Sequence, residues 1–170
     1  TPLTTNEIDL ADDEAVLEAI FDDAFSSADI AVQYYDGMSK DMKSMPGIVT
    51  LADSCPLVTV DMSDEMVKTI TIDYGDGCTG FYNRERSGKI IIAVTGPRRE
   101  LGSTRTITFD NYFFNGIKLE GTRVTENMGP NDNENVVFMS SLTGGKLIFP
   151  NDTVVEREAT HFREFIAGYN

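Results

Sequence analysis

The amino-acid sequence predicts a mainly β fold, an antiparallel meander or sandwich-like sheet with an N-terminal amphipathic α-helix packed on it. Near the N-terminus apolar residues recur every three or four positions, from Leu57 onwards they alternate, and turn-forming residues separate the alternating runs. The first spacing is typical of one face of a helix and the second of one face of a strand. We therefore expect an acidic N-terminal helical segment and linker in residues 1–47 and an antiparallel β domain in residues 48–170.

The predicted helix runs from Thr4 to about Ala28. Thr4 and Glu7 fit a capping box at its start. Its apolar stripe consists of Val16, Leu17, Ile20, Phe21, Ala24, Phe25 and Ala28, and its opposite face carries Asp12, Asp13, Glu14, Glu18, Asp22 and Asp23. Like charges four residues apart repel, so packing of the stripe must stabilise this helix. The acidic face is either solvated or a docking surface for a basic partner or a cation.

Residues 36–56 contain two glycines, two prolines and scattered methionines, and we interpret them as a linker. Alternating apolar runs follow: Val58, Val60 and Met62; Ile70, Ile72 and Tyr74; Ile90, Ile92 and Val94. Each run fits a strand with one buried face. Because short polar segments separate the runs, the sequence predicts an antiparallel meander.

Asn115-Gly116 is the clearest turn signal, because this pair supplies the two positive φ angles of a type I′ hairpin. Pairing outward from it gives three cross-strand pairs: Phe114 with Ile117, Tyr112 with Leu119, and Ile107 with Val124. Ile107 and Tyr112 have opposite parity along the strand. Either both faces of the sheet are covered, or a bulge near Asp110-Asn111 brings the two side chains to one face.

Three further short strands are predicted at residues 135–140, 146–149 and 153–158. The turns around them are expected at Gly129-Pro130, Gly144-Gly145 and Pro150-Asn151. The last stretch is ambiguous, because Phe162, Phe165 and Ile166 have helical spacing whereas Phe162, Glu164 and Ile166 alternate. We favour a strand, since strands precede it.

The two cysteines, Cys55 and Cys78, are 23 positions apart and each is flanked by turn-forming residues. The pattern predicts a disulfide, with two buried free thiols as the alternative. A bridge closing such a loop contributes roughly 3 kcal/mol in the chain-entropy model. Disulfides persist in oxidising compartments, so we expect an extracytoplasmic protein. The bridge would join the start of the first strand to the far end of the second, and so mark where the helical segment ends and the sheet begins.

The charge and motif content exclude several function classes. With 28 acidic and 14 basic residues the net charge is −14, which repels nucleic acid and anionic lipid and favours cations or basic proteins as partners. No apolar run is long enough for a transmembrane segment. Glycine-rich nucleotide loops and zinc-ligand clusters are missing from the sequence, and the single histidine, His161, is expected to be a partly buried structural residue. We predict no catalytic residues.

Calcium is the cofactor that the sequence leaves open. Asp73 and Asp76, in the segment 73–77, and Asp132 and Glu134, in the segment 131–134, concentrate oxygen ligands in turns. Oxygen ligands are those that calcium prefers, but neither segment has EF-hand spacing. Asp-Gly and Asn-Asp are equally typical of ordinary hairpin turns, which is the alternative.

Phe81, Tyr82, Arg84 and Arg86 form the candidate binding loop, because aromatic and basic side chains together can stack on and hydrogen-bond a sugar or a peptide. The segment 97–100, with two arginines, is its counterpart. In a meander successive loops fall at opposite ends of the sheet, so the two loops are not expected to share a site. A solvated loop is the alternative.

The segment 67–125 resembles a family of Bacteroidetes predicted cell-surface lipoproteins of uncharacterised function. The likeness is carried by residues 69–78 (TITIDYGDGC), 87–91 (SGKII), 108–112 (TFDNY), Asn115-Gly116, residues 120–123 (EGTR) and the closing Gly144-Gly145. It implies export, a lipid anchor upstream of Thr1, a long-stranded antiparallel sheet and an outer-membrane, cell-surface or periplasmic location. Members continue past the point matching residues 168–170, which implies a β domain truncated here at its C-terminus.

The sequence thus favours a non-catalytic extracytoplasmic module that binds a protein or a glycan at the cell surface or acts as a structural spacer. The alternative is a carbohydrate-active enzyme, similar to a glycoside hydrolase, that uses paired carboxylates.

Overall fold

The computed structural model describes residues 14–79 and 84–166. Its helices are α1 (Glu14–Asp36) and α2 (Lys40–Lys43). Its strands are β1 (Ile48–Asp53), β2 (Leu57–Asp61), β3 (Lys68–Asp73), β4 (Cys78–Thr79), β5 (Glu85–Val94), β6 (Thr104–Phe114), β7 (Ile117–Pro130), β8 (Val136–Ile148) and β9 (Val154–Phe165). All the described strands belong to one antiparallel sheet in the order β1-β2-β3-β5-β6-β7-β8-β9, with β4 beside β5. The mainly β fold class is confirmed.

Helix α1 packs its apolar stripe against one face of the sheet, as predicted. It continues to Asp36 instead of ending near Ala28, because Ala31 and Val32 extend the buried stripe. The predicted capping box at Thr4 and Glu7 lies outside the described residues. No helix in the described part of the chain has the length and apolar character needed to cross a membrane.

Much of the acidic face of α1 pairs with arginines of the sheet. Arg157 on β9 forms ion pairs with Glu14 at 3.0 Å and Glu18 at 3.7 Å, and Arg105 on β6 pairs with Asp36 at 3.5 Å. The basic partner of this face is therefore in part the protein's own sheet.

The predicted linker over residues 36–56 is wrong in part, since it contains α2 and β1. Strand β1 pairs with β2, and Val49 and Leu51 pack against the core. The sequence of β1 does not alternate clearly, because Ile48 at its start is apolar and yet 70% exposed. Cys55 follows β1, so the disulfide does not mark the boundary between helix and sheet, contrary to expectation.

The hairpin at Asn115-Gly116 forms, and Phe114 pairs with Ile117 as predicted. Further along, Ile107 pairs with Arg123 and not with Val124, because the register shifts between Ile107 and Phe113. The regular pairing that starts at the hairpin ends with Phe113 and Lys118, so Tyr112 and Leu119 do not form the predicted pair.

The shift on β6 is the predicted bulge. Asn111 has a φ of 44°, and Ile107 and Tyr112 are both buried in the same core despite their opposite parity. Gly88 on β5 accommodates the bulge, because a Cβ there would collide with the carbonyl oxygen of Asn111.

Gly144-Gly145 is not a turn, and the two short strands predicted around it are one strand, β8. The register of β8 against its neighbours shifts here, and a Cβ at Gly121 on β7 would lie 2.9 Å from the Cα of Gly145. Glycine in a strand marks a close backbone approach as readily as a turn. Likewise β7 runs through Gly129-Pro130, and the turn follows in residues 131–135. The strand favoured for the C-terminal stretch is confirmed as β9.

Candidate functional site

The sheet face beneath α1 changes its chemistry across the strand order. On β2, β3 and β5 it is aliphatic and buried, with Val58, Val60, Ile70, Ile72, Ile90 and Ile92. We call this the aliphatic half. On β6 to β9 the same face keeps buried apolar residues, including Ile107, Leu119 and Leu142. Towards the loop between β5 and β6 it carries Arg105, Arg123, Thr125, Ser140, His161 and Arg163, which we call the polar half. Since alternate residues of a strand share a face, the repeat of polar residues two apart places them together.

A groove of about 780 Å³ lies between the polar half and α1. Asp22, Asp29 and Asp36 line its helix wall, and their seven-residue spacing is close to two helical turns, which brings them to one side of α1. Arginines line the opposite wall. The groove therefore has one acidic and one basic wall.

A row of polar side chains crosses the floor of the groove. Thr125 on β7 is paired with Ser140 on β8, and Ser140 is paired with His161 on β9. The hydroxyl oxygens of Thr125 and Ser140 are 2.9 Å apart and share a hydrogen bond. His161 is exposed on the groove wall, so the expectation of a partly buried structural histidine is wrong.

Arg123 is the half-buried cation of the groove. Its guanidinium carbon lies 4.4 Å from the centroid of the Phe25 ring, an arrangement that stabilises a cation over an aromatic face. Burial lowers the pKa of Arg123, although Asp29 and Asp22 oppose the shift. No described residue accepts a hydrogen bond from its guanidinium or pairs with it within 4.0 Å.

Arg163 lies on the far side of the polar row. Its positive charge contributes to lowering the pKa of Arg123, so the two guanidinium groups repel each other along the same sheet face. Arg163 pairs along the sheet with Phe138, which pairs with Asn127, four residues beyond Arg123 on β7. The two arginine positions are thus about 13 Å apart along the strands. Among the described residues the Arg163 side chain, too, has no hydrogen-bond acceptor and no ion pair.

The loop between β5 and β6 closes one end of the groove through Arg98. Its guanidinium carbon lies 5.1 Å from the ring centroid of Phe138 and 5.3 Å from that of Phe165. The amide of the buried Asn127 donates a hydrogen bond to the carbonyl oxygen of Arg98 at 2.9 Å. This anchor holds the segment 97–100 against the sheet.

Arg84 and Arg86, predicted as binding residues, contact Asp23 of α1. Arg86 donates three hydrogen bonds to the Asp23 carboxylate, at 2.9 to 3.2 Å, and Arg84 donates one at 3.0 Å. These contacts fasten α1 to the sheet. Phe81 and Tyr82 lie outside the described residues, so ligand binding by this loop stays a prediction.

The topology separates the loops as expected. Arg84 and Arg86 follow the connection from β3 to β5 at one end of the sheet, whereas the segment 97–100 connects β5 to β6 at the other.

The two turns considered for calcium also lie at opposite ends of the sheet. Asp73 Oδ1 accepts a hydrogen bond from the backbone N–H of Gly75 at 2.8 Å, and Asp76 lies in the same turn. In the other turn, which contains Asp132 and Glu134, the Asn131 side chain accepts two backbone hydrogen bonds. No cluster of three or more histidine, cysteine or acidic residues that could hold a metal is found in the described ranges. Calcium binding at either turn stays a prediction.

The disulfide between Cys55 and Cys78 is confirmed, with 5.9 Å between the Cα atoms. It joins the turn before β2 to β4 and lies at the opposite end of the sheet from the Arg98 loop. Its position is architectural.

The arginines of the polar half are the functional candidates that the sequence prediction missed. The sequence does contain a signal for them, because these arginines stand at positions whose side chains face the helix. Arg123 is two residues from Thr125, and Arg105 is two residues from Ile107. Comparisons of the chain with protein-family models, with curated proteins and with solved structures find no match.

Proposed function

We propose that this protein is a non-catalytic extracytoplasmic binding module whose ligand lies in the groove between α1 and the polar half of the sheet. The observation that carries the proposal is Arg123, a half-buried guanidinium with no hydrogen-bond acceptor among the described residues. Burying a charged group without a partner costs free energy, and a ligand that accepts its hydrogen bonds offsets that cost.

The size of the groove supports a ligand site. Its volume of about 780 Å³ falls within the roughly 300 to 1,000 Å³ of typical ligand pockets. Its polar half also replaces side chains that could have extended the core. A purely structural spacer has no need of this replacement.

The compartment is part of the proposal. The Cys55–Cys78 bridge supports an extracytoplasmic location, because disulfides are rare where thiols are kept reduced. The resemblance to Bacteroidetes surface lipoproteins supports anchoring at the outer membrane or the cell surface, with the periplasm as the alternative.

A combined glycan and peptide array tests the binding function. We expect at least one ligand to be retained by the wild-type protein and by Lys89→Gln, and lost by Arg123→Gln. Lys89 provides a charge-matched control, since it lies on β5 outside the groove and pairs with Asp73 at 3.8 Å. If every signal survives Arg123→Gln, the groove is not the binding site and the proposal fails.

The same array tests the carbohydrate-active enzyme, the alternative from the sequence. Such an enzyme needs a pair of carboxylates in its cleft, and Asp22, Asp29 and Asp36 are the acidic residues on the groove wall. Release of new reducing ends from any retained glycan would replace the binding function with the enzymatic one.

A further inference from the structure

Building on the proposed function, we infer that the ligand of the groove is an acidic oligosaccharide, a short sugar chain with carboxylate groups. Three features of the walls lead to it: two separated cations, a polar row between them, and a facing acidic wall.

The two cations are complementary to an extended ligand. The backbone positions of Arg123 and Arg163 are about 13 Å apart along the strands, on opposite sides of the row formed by Thr125, Ser140 and His161. They also lie two strands apart in the sheet, on β7 and β9. A chain of several units can place a carboxylate at each, and carboxylates are the acceptors that match the planar donor set of arginine.

The polar row requires hydrogen-bonding groups in the middle of that ligand. Thr125 and Ser140 each have a hydroxyl that donates and accepts, and His161 has a ring nitrogen of each kind when neutral. Sugar hydroxyls are complementary to such a row. Thr125 and Ser140 share one hydrogen bond, so an aliphatic peptide side chain here would exclude water from their remaining donor and acceptor sites, which is unfavourable.

The helix wall decides between an acidic sugar chain and an acidic peptide. Asp22 and Asp29 face the groove from α1 and form no ion pair with any described residue, whereas Asp36 pairs with Arg105. A dense polyanion would be repelled by the two unpaired carboxylates. Carboxylates accept hydrogen bonds from neutral hydroxyls. A uronic-acid chain has carboxylates that can accept hydrogen bonds from the arginines and hydroxyls that can donate to the aspartates, whereas an acidic peptide of glutamate and glycine has no side-chain hydroxyls for the helix wall.

Isothermal titration calorimetry with three probes tests the inference: a trimer of galacturonic acid, the neutral galactose trimer, and a hexapeptide of alternating glutamate and glycine. We expect the acidic trimer to bind at least tenfold more tightly than either of the others. Arg123→Gln should weaken its binding at least tenfold, and Lys89→Gln should change it less than twofold. Arg163→Gln, at an exposed position, should also weaken it and serves if Arg123→Gln fails to fold, as judged by near-ultraviolet circular dichroism.

The outcomes separate this inference from the proposed function. If the neutral trimer or the peptide binds as tightly as the acidic trimer and depends on Arg123, the ligand class is wrong and the groove remains the binding site. If no probe shows binding that depends on Arg123 or Arg163, the acidic oligosaccharide is excluded, and the array decides whether the groove binds anything else.

Discussion

The aliphatic half and the polar half lie on the same face of one sheet and under the same helix, yet they differ in side-chain chemistry and in how closely the helix covers them. The helix approaches β3 and β5 of the aliphatic half most closely, and its small buried residues Ala24 and Ala31, both at most 2% exposed, are compatible with that approach. Over the polar half it contributes Phe25 and aspartates, and a groove remains open.

This division suggests that stability and ligand binding are separated along the strand order. Apolar burial contributes roughly 25 cal/mol per Å² removed from water, so a fully covered aliphatic half supplies much of the driving force for folding. The polar half gives up part of that contribution. We attribute the loss to the ligand groove, and the following experiments examine that attribution.

The largest difference is expected from truncations in the two halves. Ile70 is fully buried in the aliphatic half, and Ile70→Ala should lower the free energy of unfolding by about 3 to 4 kcal/mol, because it removes apolar contact and leaves a cavity. Thr125→Ala, in the polar half, should lower it by less than about 1 kcal/mol, the usual net contribution of one hydrogen bond. Urea denaturation of both variants measures the difference. Equal losses would mean that the halves do not differ in their contribution to stability.

The disulfide belongs to the aliphatic half, and its removal should have the next largest effect. Cys55 and Cys78 close a loop with a sequence separation of 23. The double replacement Cys55→Ser and Cys78→Ser should cost about 3 kcal/mol through the greater entropy of the unfolded chain. Chemical denaturation measures the loss, and ligand binding in the groove should be unchanged under native conditions. A simultaneous loss of binding would show that the halves are coupled.

Local signals explain how much of this architecture can be predicted from the sequence. Alternation in β2, β3 and β5, the Asn115-Gly116 turn and the spacing of the cysteines each depend on a few neighbouring residues. All three correctly indicate the structure. Where two structures share one signal, prediction fails: Gly144-Gly145 fits a turn and a bulge equally, and an exposed Ile48 conceals the alternation of β1.

The groove could not be predicted because it depends on register over long distances. Thr125, Ser140 and His161 become one row only through two successive strand pairings, and bulges in β7 and β8 set both. The candidate loop at Arg84 and Arg86 was chosen from local composition. Composition cannot show that Asp23, more than 60 residues earlier, forms ion pairs with both arginines.

The middle and the C-terminal end of α1 should respond differently to loss of their ion pairs. Asp23 and Arg86 are largely buried, with side chains 13% and 16% exposed, whereas Asp36 is 47% exposed. Asp23→Ala leaves Arg86 without its carboxylate and should cost about 2 kcal/mol, less than the loss for a fully buried pair. Asp36→Ala should cost less than about 0.5 kcal/mol, as for exposed pairs. Thermal unfolding of the two variants compares them, and similar shifts in Tm would mean that burial does not distinguish the two ion pairs.

The smallest stability change, and the most direct examination of the polar half, is expected from Arg123→Met. Methionine retains the length and much of the volume of the side chain over Phe25 and removes a charge whose burial already lowers its pKa. Replacing a buried charge by an apolar side chain of similar volume is often neutral or stabilising, so we expect a change between zero and a gain of about 1 kcal/mol. Binding in the groove should be lost in the same variant. A variant that gains stability and loses ligand binding would show that Arg123 serves binding. A clear loss of stability would instead identify Arg123 as a structural residue of the core. That outcome would remove the main support for the groove as a ligand site.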